Sequence, residues 1–121
     1  MQLKKIAEIL EAQIVSNPDS LNKEIECACC TDLISNVLYY SSGQSSVLIT
    51  GLIHPQVVRA AEVAGIEGIV FVQSRKPDTD TAKLAEQKGI TLLISPFCMY
   101  TASGKLYNAG LLGHQKEQNE C

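Results

Sequence analysis

Residues 47–59 are the stretch that most constrains the fold of this chain. A short apolar run ends at Thr50 and Gly51, and Pro55 then opens a run with the periodicity of an amphipathic helix. A buried strand, a tight turn and a helix start in this order form the unit from which parallel α/β sheets are built. Ligands of such sheets collect where strands end and helices begin, so this turn is the first candidate site.

The same unit recurs twice more along the chain at a regular spacing. Ile49, Phe71 and Leu93 lie within three apolar runs and are 22 residues apart. Apolar runs of four or five residues that alternate with helices are typical of a sheet buried on both faces, with right-handed crossovers between parallel strands. The pattern therefore predicts an α/β fold, three-layer α/β/α with a mostly parallel central sheet. The predicted strands are residues 14–15, 24–29, 47–50, 69–73 and 91–95, and the predicted helices are residues 3–12, 55–64, 79–88 and 98–109, with one more that starts at 31–32 and is ended by 39–43.

Length, charge and hydropathy limit the classes of function. At 121 residues the chain is predicted to form one domain over residues 1–112, followed by a polar tail, residues 113–121. A formal charge of −3 and scattered basic residues argue against a nucleic-acid partner. The apolar runs are shorter than the roughly 20 residues that span a bilayer, and the N-terminus lacks the apolar core of a signal peptide. The sequence favours a cytoplasmic protein that binds neither nucleic acid nor membrane.

Polar residues after two of the predicted strands form the candidate ligand-binding site. Thr50 and Gly51 can place a hydroxyl and backbone N–H groups around an anion at a helix N-terminus. Gln73, Ser74 and Arg75 follow the next strand on the same edge of the sheet, where the guanidinium can hold an anionic ligand. Two alternatives stay open: Gly51 can serve only to adopt an unusual φ, and Arg75 can be a solvated rim residue.

Asp32 and His54 lie at the margin of this candidate site. Asp32 is most simply a helix-start residue near the positive end of a helix dipole, and His54 precedes Pro55 on the N-cap side of the next helix. Neither has a sequence neighbour arranged for acid–base or nucleophilic catalysis. We therefore predict no catalytic residue and keep Asp32 and His54 as further ligand-binding candidates.

Five cysteines, four of them at positions 27, 29, 30 and 98, supply enough sulfur for a metal or cluster site. However, the Cys-x-Cys-Cys spacing matches neither a zinc knuckle nor a ferredoxin. On a strand, Cys27 and Cys29 would face one layer and Cys30 the other, and cysteine packs well as a small buried residue. The sequence thus predicts buried, reduced thiols with no metal and no cofactor, and a metal or redox protein that uses Cys27–Cys30 remains the alternative.

Short motifs spread over nearly the whole chain resemble a known family. They are residues 31–37, 48–51, 55–59, 68–72, 76–78 and 84–90. Together they resemble the DRTGG domain family, related to the N-terminal domain of HPr kinase/phosphorylase, and above all its short free-standing type encoded near iron-only hydrogenase genes in anaerobic bacteria. The chain departs from the family at the name-giving acidic–basic pair, which falls at residues 52–54, and at the paired glycines, which are Gln73 and Ser74 here.

The resemblance implies a three-layer α/β domain, similar to the HPr kinase N-terminal domain, that is often a dimer and regulates or senses a ligand without known catalysis. Together with the residues above, it predicts a non-catalytic regulatory domain. This domain would bind a small anionic ligand or a protein partner at the C-terminal edge of the sheet and would form a homodimer, since unpaired edge strands favour association. A ligand-free structural interaction module is the second alternative.

Overall fold

A five-stranded sheet forms the centre of the molecule. The computed structural model describes residues 1–39 and 43–113. The strands are β1 (Gln13–Ser16), β2 (Cys27–Cys30), β3 (Ser46–Thr50), β4 (Ile66–Phe71) and β5 (Thr91–Ile94), and the helices are α1 (Leu3–Ile9), α2 (Ile34–Tyr39), α3 (Pro55–Ala64), α4 (Thr79–Lys88) and α5 (Met99–Asn108). The strand order is β1-β5-β4-β3-β2, with β1 antiparallel to β5 and the other strands parallel.

Helices cover both faces of this sheet, because successive strand residues point to opposite sides. Leu48 and Phe71 face one core, which packs under α2, α3 and α4. Val47 and Ile49 face the other core, under α1 and α5. All of β3 is buried, as expected for a strand with both faces covered. The predicted three-layer fold with a mostly parallel sheet is confirmed.

Two boundaries near the N-terminus were predicted wrongly. The first helix ends at Ile9 rather than at residue 12, because Glu11 has a φ of 51° and turns the chain toward β1. The second strand begins at Cys27 rather than at residue 24. Glu24 and Ile25 instead bond to the N-terminus: Glu24 forms an isolated bridge with Gln2, and the N–H of Ile25 donates to the carbonyl of Met1 at 2.7 Å.

Smaller differences occur elsewhere. Strand β4 begins at Ile66 and ends at Phe71, two residues before the predicted end, because the backbone turns left-handed at Gln73. Strand β1 extends one residue beyond the prediction at each end, whereas β5 and α5 are slightly shorter than predicted. The predicted end of α2 and the predicted polar tail fall largely on residues 40–42 and 114–121, outside the described residues. Among the described helices, none is long and apolar enough to cross a membrane.

Candidate ligand pocket at the carboxyl edge of the sheet

A cavity of about 440 Å³ opens where the loops after β2, β3, β4 and β5 converge. Each loop supplies part of the lining, because the carboxyl ends of parallel strands meet at one edge of a sheet. The lining residues are Asp32, Gly51, Leu52, Val72, Gln73, Arg75, Cys98, Met99 and Tyr100. Four of the seven predicted ligand residues, Asp32, Gly51, Gln73 and Arg75, therefore share this cavity.

Asp32 is a central residue of the cavity rather than a marginal one. Its Oδ1 accepts a hydrogen bond from the Thr50 hydroxyl at 3.0 Å and another from the Gly51 N–H at 2.7 Å. Thr50 is fully buried, and its hydroxyl oxygen also accepts from the N–H of Leu52 at 3.1 Å. The hydroxyl and the N–H that were predicted to surround a ligand anion thus bind the chain's own carboxylate.

Thr31 explains why Asp32 can face the sheet. The Thr31 hydroxyl oxygen accepts from the N–H of Leu33 at 3.1 Å and lies 3.4 Å from the side-chain amide nitrogen of Asn36. Hydroxyl contacts of this kind fix the turn before a helix, here the turn before α2. Of the two residues at the predicted helix start, Thr31 accepts the hydrogen bond from the N–H of Leu33, and the Asp32 carboxylate bonds to Thr50 and Gly51 at the end of β3.

Gly51 leaves space between two charged groups. Its φ lies outside the left-handed region, so the backbone here does not require glycine. A Cβ at this position would lie 3.4 and 3.6 Å from the Asp32 carboxylate oxygens and 3.7 Å from Nε of Arg75. These are ordinary van der Waals distances. The alternative that Gly51 serves only to adopt an unusual φ is therefore wrong, and its contact with a ligand stays a prediction.

The loop after β4 sets the position of Arg75. Gln73 and Ser74 both have left-handed backbones, with φ of 57° and 56°. Their N–H groups donate to the carbonyls of Phe97 and Ser95, each at 2.9 Å, and so tie the loop to the end of β5. Gln73, Ser74 and Arg75 are all exposed; Gln73 and Arg75 line the cavity, and Ser74 does not. Within residues 1–39 and 43–113, the guanidinium of Arg75 forms no ion pair.

His54 does not join the group around Arg75. Its Nδ1 lies 3.6 Å from an Asp78 carboxylate oxygen, and both side chains are largely exposed. Hydrogen bonds from Thr81, and to a lesser degree His54, lower the pKa of Asp78, which caps α4. His54 instead lines a second cavity of about 430 Å³ beside the start of α3. A ligand-binding role for His54 stays a prediction, and it concerns a different cavity.

Sequence reasoning did not select the residues after β5. Cys98 is the exposed N-cap of α5, and Thr101 Oγ1 lies 3.4 Å from its sulfur. Hydrogen bonds from the Thr101 hydroxyl and N–H favour the thiolate and lower the pKa of the Cys98 thiol. Tyr100 completes this wall of the cavity. The rule that selected Thr50 and Gln73, namely position after a parallel strand, applies equally to residues 96–100.

The other described cysteines lie away from this cavity. Cys27 and Cys29 are buried, and burial, with a smaller effect of the Glu26 charge, raises the pKa of the Cys27 thiol. Cys29 faces the core under α2, α3 and α4, whereas Cys30 packs against the opposite core, where Ser103 Oγ lies 3.2 Å from its sulfur. The part of the chain that the structure describes contains no group of three metal-ligating side chains.

The fold is similar to that of a solved regulatory protein. The crystal structure of the CBS and DRTGG domains of the regulatory region of Clostridium perfringens pyrophosphatase, complexed with the activator diadenosine tetraphosphate, matches with a TM-score of 0.67 and 16% identity. The fold is DRTGG-like. The match covers 87% of this chain and 45% of the other, so the chain spans less than half of that regulatory region. The sequence matches no family model and no curated protein.

The loop after β4 holds two residues other than glycine in an unfavourable conformation. Gln73 and Ser74 both adopt the left-handed conformation that glycine tolerates best. A residue with a Cβ pays roughly 1–2 kcal/mol for this conformation. The loop keeps its shape without glycine because its backbone hydrogen bonds to the end of β5 hold it.

Proposed function

We propose that this chain is a non-catalytic regulatory or sensing domain that binds a small anionic ligand in the cavity at the carboxyl edge of the sheet. The observation that carries the proposal is the cavity itself, which Gly51 lines together with Asp32 and Arg75. A methyl group at Gly51 would contact both the carboxylate of Asp32 and Nε of Arg75, so glycine leaves this part of the cavity surface unfilled.

Arg75 is the group that would bind the anion. It lines the cavity, and its guanidinium forms no ion pair with the described residues. Guanidinium groups form bidentate, charge-assisted hydrogen bonds with carboxylates and phosphates. The Clostridium perfringens regulatory region, whose fold is similar, was solved with an anionic activator, diadenosine tetraphosphate. By analogy of fold alone, this supports a regulatory role for the present domain.

The lining residues favour binding over catalysis. Asp32 is the carboxylate among them, and its Oδ1 is engaged by Thr50 and Gly51. His54 and Asp78 form the His–Asp contact of the described residues, and neither lines this cavity; His54 lines the second one. General acid–base chemistry needs a proton-transferring pair directed at one reacting group, and the lining of this cavity does not assemble one. A non-enzymatic, cytoplasmic domain over residues 1–112 remains our proposal.

Tyr100 links the cavity to a surface that could transmit the signal. It lines the cavity and is 89% exposed, and Tyr107, two turns further along α5, is 64% exposed. Gly104 lies between them on the same side of the helix, and Lys105 is directed at the Phe97 ring, 4.7 Å away. We propose that this uncharged face pairs with a second copy in a homodimer, and that ligand binding shifts the population of paired molecules.

Thermal denaturation with phosphate, pyrophosphate, ATP and diadenosine tetraphosphate tests the ligand proposal. At least one of these anions is expected to raise the Tm of the wild-type protein. Arg75→Gln should abolish the rise, because it removes the charge that faces the cavity, and Gly51→Ala should abolish it by filling the space. Arg59→Gln, which removes an exposed charge on α3, is the matched control and should leave the rise unchanged.

Light scattering after gel filtration tests the dimer separately. We expect a homodimer, and Tyr107→Ser should shift it to monomer, because this change alters the α5 face without touching the cavity. A wild-type monomer would refute the dimer. Equal Tm rises in the wild-type, Arg75→Gln and Arg59→Gln proteins, or no rise with any of these anions, would refute binding of such ligands at Arg75 and favour a protein partner or a ligand-free interaction module.

A further inference from the structure

We infer that the cavity at the carboxyl edge takes a small zwitterion, an α-amino acid with an apolar side chain, with its ammonium on Asp32 and its carboxylate on Arg75. The inference rests on the proposed ligand-binding function and specifies the chemistry of the ligand. It follows from the presence of two opposite charges, on Asp32 and Arg75, in the lining of one cavity.

The negative side of this space is one oxygen of Asp32. Oδ1 accepts the hydrogen bonds from Thr50 and Gly51, whereas Oδ2 accepts none from the described residues. Oδ2 also lies 3.6 Å from the vacant Cβ position of Gly51. The two neutral donors orient the carboxylate but bring no opposite charge, so Asp32 presents its negative charge to the cavity. An ammonium group supplies the charged donor that Oδ2 lacks.

The positive side of the space is Arg75. Its Nε lies 3.7 Å from the same vacant Cβ position, yet no guanidinium nitrogen comes within 4.0 Å of a carboxylate oxygen of the described chain. Asp32 and Arg75 therefore flank the space without closing it as an ion pair. An anion without an ammonium group can bind Arg75 but leaves Oδ2 of Asp32 without a charged donor, and a pure cation would meet the like charge of Arg75, which is costly.

The rest of the lining fits the body of an apolar amino acid. Leu52, Val72 and Met99 are the aliphatic and thioether residues of the lining, and Tyr100 adds an aromatic ring. The volume of about 440 Å³ is within the range of small-molecule pockets, roughly 300–1,000 Å³. We therefore expect the cavity to favour a ligand that carries both charged groups over a ligand that carries only one of them.

Three matched probes test the inference: L-norleucine as the zwitterion, hexanoate as its carboxylate without the amine, and pentylamine as its amine without the carboxylate. Binding is followed by the amide ¹H–¹⁵N shifts of Gly51 and Arg75. L-Norleucine is expected to bind at least about tenfold more tightly than either single-charge probe, a difference that one added charged contact readily provides. Asp32→Asn should reduce its affinity to that of hexanoate, and Arg75→Gln should reduce it to that of pentylamine.

Asp32→Asn retains an acceptor for Thr50 and Gly51, so it should fold, and wild-type-like amide spectra would verify this. Equal affinity for L-norleucine and hexanoate, or an Asp32→Asn protein that still prefers L-norleucine, would overturn the inference. If L-norleucine fails to bind while the phosphate-bearing anions still raise the Tm through Arg75, the zwitterion is wrong and the proposed function stands. If neither set of compounds acts at Arg75, both are wrong.

Discussion

The carboxylate of Asp32 and the amide N–H of Gly51 are joined by a hydrogen bond of 2.7 Å, which connects the residue after β2 to the residue after β3. The same oxygen holds the buried hydroxyl of Thr50. Asp32 thus serves both the stability of the sheet edge and the charge of the cavity, and these two roles can be separated by substitution.

Asp32→Ala should destabilise the protein, because it leaves the buried Thr50 hydroxyl without its acceptor. The expected loss in the free energy of unfolding is about 1 kcal/mol, typical of a hydrogen bond lost at a partly buried site. Urea denaturation measures it. Asp32→Asn is the control and should lose less, since its side-chain oxygen still accepts. Equal losses in both variants would show that the charge, and not the acceptor, holds the loop.

Gly51→Ala and Gly68→Ala form a contrasting pair. At Gly51 the new methyl group meets only ordinary contacts, so the free energy of unfolding should stay within about 0.5 kcal/mol of the wild-type value, as for most surface changes. At Gly68 it would lie 2.9 Å from Cδ2 of the fully buried Leu3, and overpacking of this kind costs about 1–3 kcal/mol. Chemical denaturation of both variants measures these two changes in the free energy of unfolding. A destabilised Gly51→Ala would mean that the fold itself requires glycine at this position.

Ser74→Gly should stabilise the protein by about 0.5–1 kcal/mol, since it relieves a left-handed backbone that disfavours a Cβ, partly offset by the entropy of glycine in the unfolded chain. Gln73→Gly should act in the same direction. Thermal and urea denaturation show whether each variant is more or less stable than the wild-type protein. Gln73→Val, which places a β-branched residue at the same φ, should have the opposite effect. A loss of stability in both glycine variants would contradict the strain argument.

Alkylation by iodoacetamide should be faster at Cys98 than at Cys27. The Thr101 hydroxyl and N–H lower the pKa of the Cys98 thiol, so a larger fraction is thiolate at neutral pH, whereas burial raises the pKa of Cys27. The rate at Cys98, followed by peptide mass spectrometry over a pH series, should have its midpoint below that of a free thiol. Thr101→Val should move this midpoint upward, and Thr101→Ser should not. An unshifted midpoint in Thr101→Val would remove Thr101 as the cause.

Asp78 should contribute to stability in a pH-dependent manner. Hydrogen bonds from Thr81 lower its pKa in the folded state. A carboxyl whose pKa is lowered by folding stabilises above its unfolded-state pKa, and this stabilisation is lost as the pH falls through the folded-state pKa. The Tm difference between the wild-type protein and Asp78→Asn should therefore be present at pH 7 and shrink in acid. A difference that does not depend on pH would contradict this assignment.

The sequence predicts the sheet well because its central strands carry a simple signal. The three regularly spaced runs around Ile49, Phe71 and Leu93 are apolar throughout, and strands buried on both faces require that pattern. The predicted boundaries of strands and helices are wrong where tertiary contacts compete with the local preference of the chain. Residues 24–26 alternate like a strand, yet Ile25 bonds to Met1, a contact made across 24 residues of sequence that no local pattern contains.

The site was only partly predictable for the same reason. Arg75 was selected because it follows a parallel strand, and the topology alone places such residues on one edge. The role of Asp32 depends on whether its carboxylate accepts hydrogen bonds in the turn before α2 or at the end of β3, and in the structure Thr31 is the acceptor in that turn. A choice between two acceptors on adjacent residues is not visible in residue spacing.

The pairing of β1 with β5 has a consequence for the synthesis of this protein. The hydroxyl of Ser95 donates to the carbonyl of Leu10 at 2.9 Å across 85 residues of sequence, and β1 pairs with the strand that is the last of the five to be made. At translation rates of about 5–20 residues per second, β1 waits on the order of ten seconds for this partner. During that interval β1 has no strand to pair with, so this edge of the sheet stays open to chaperones and to aggregation until β5 has been made.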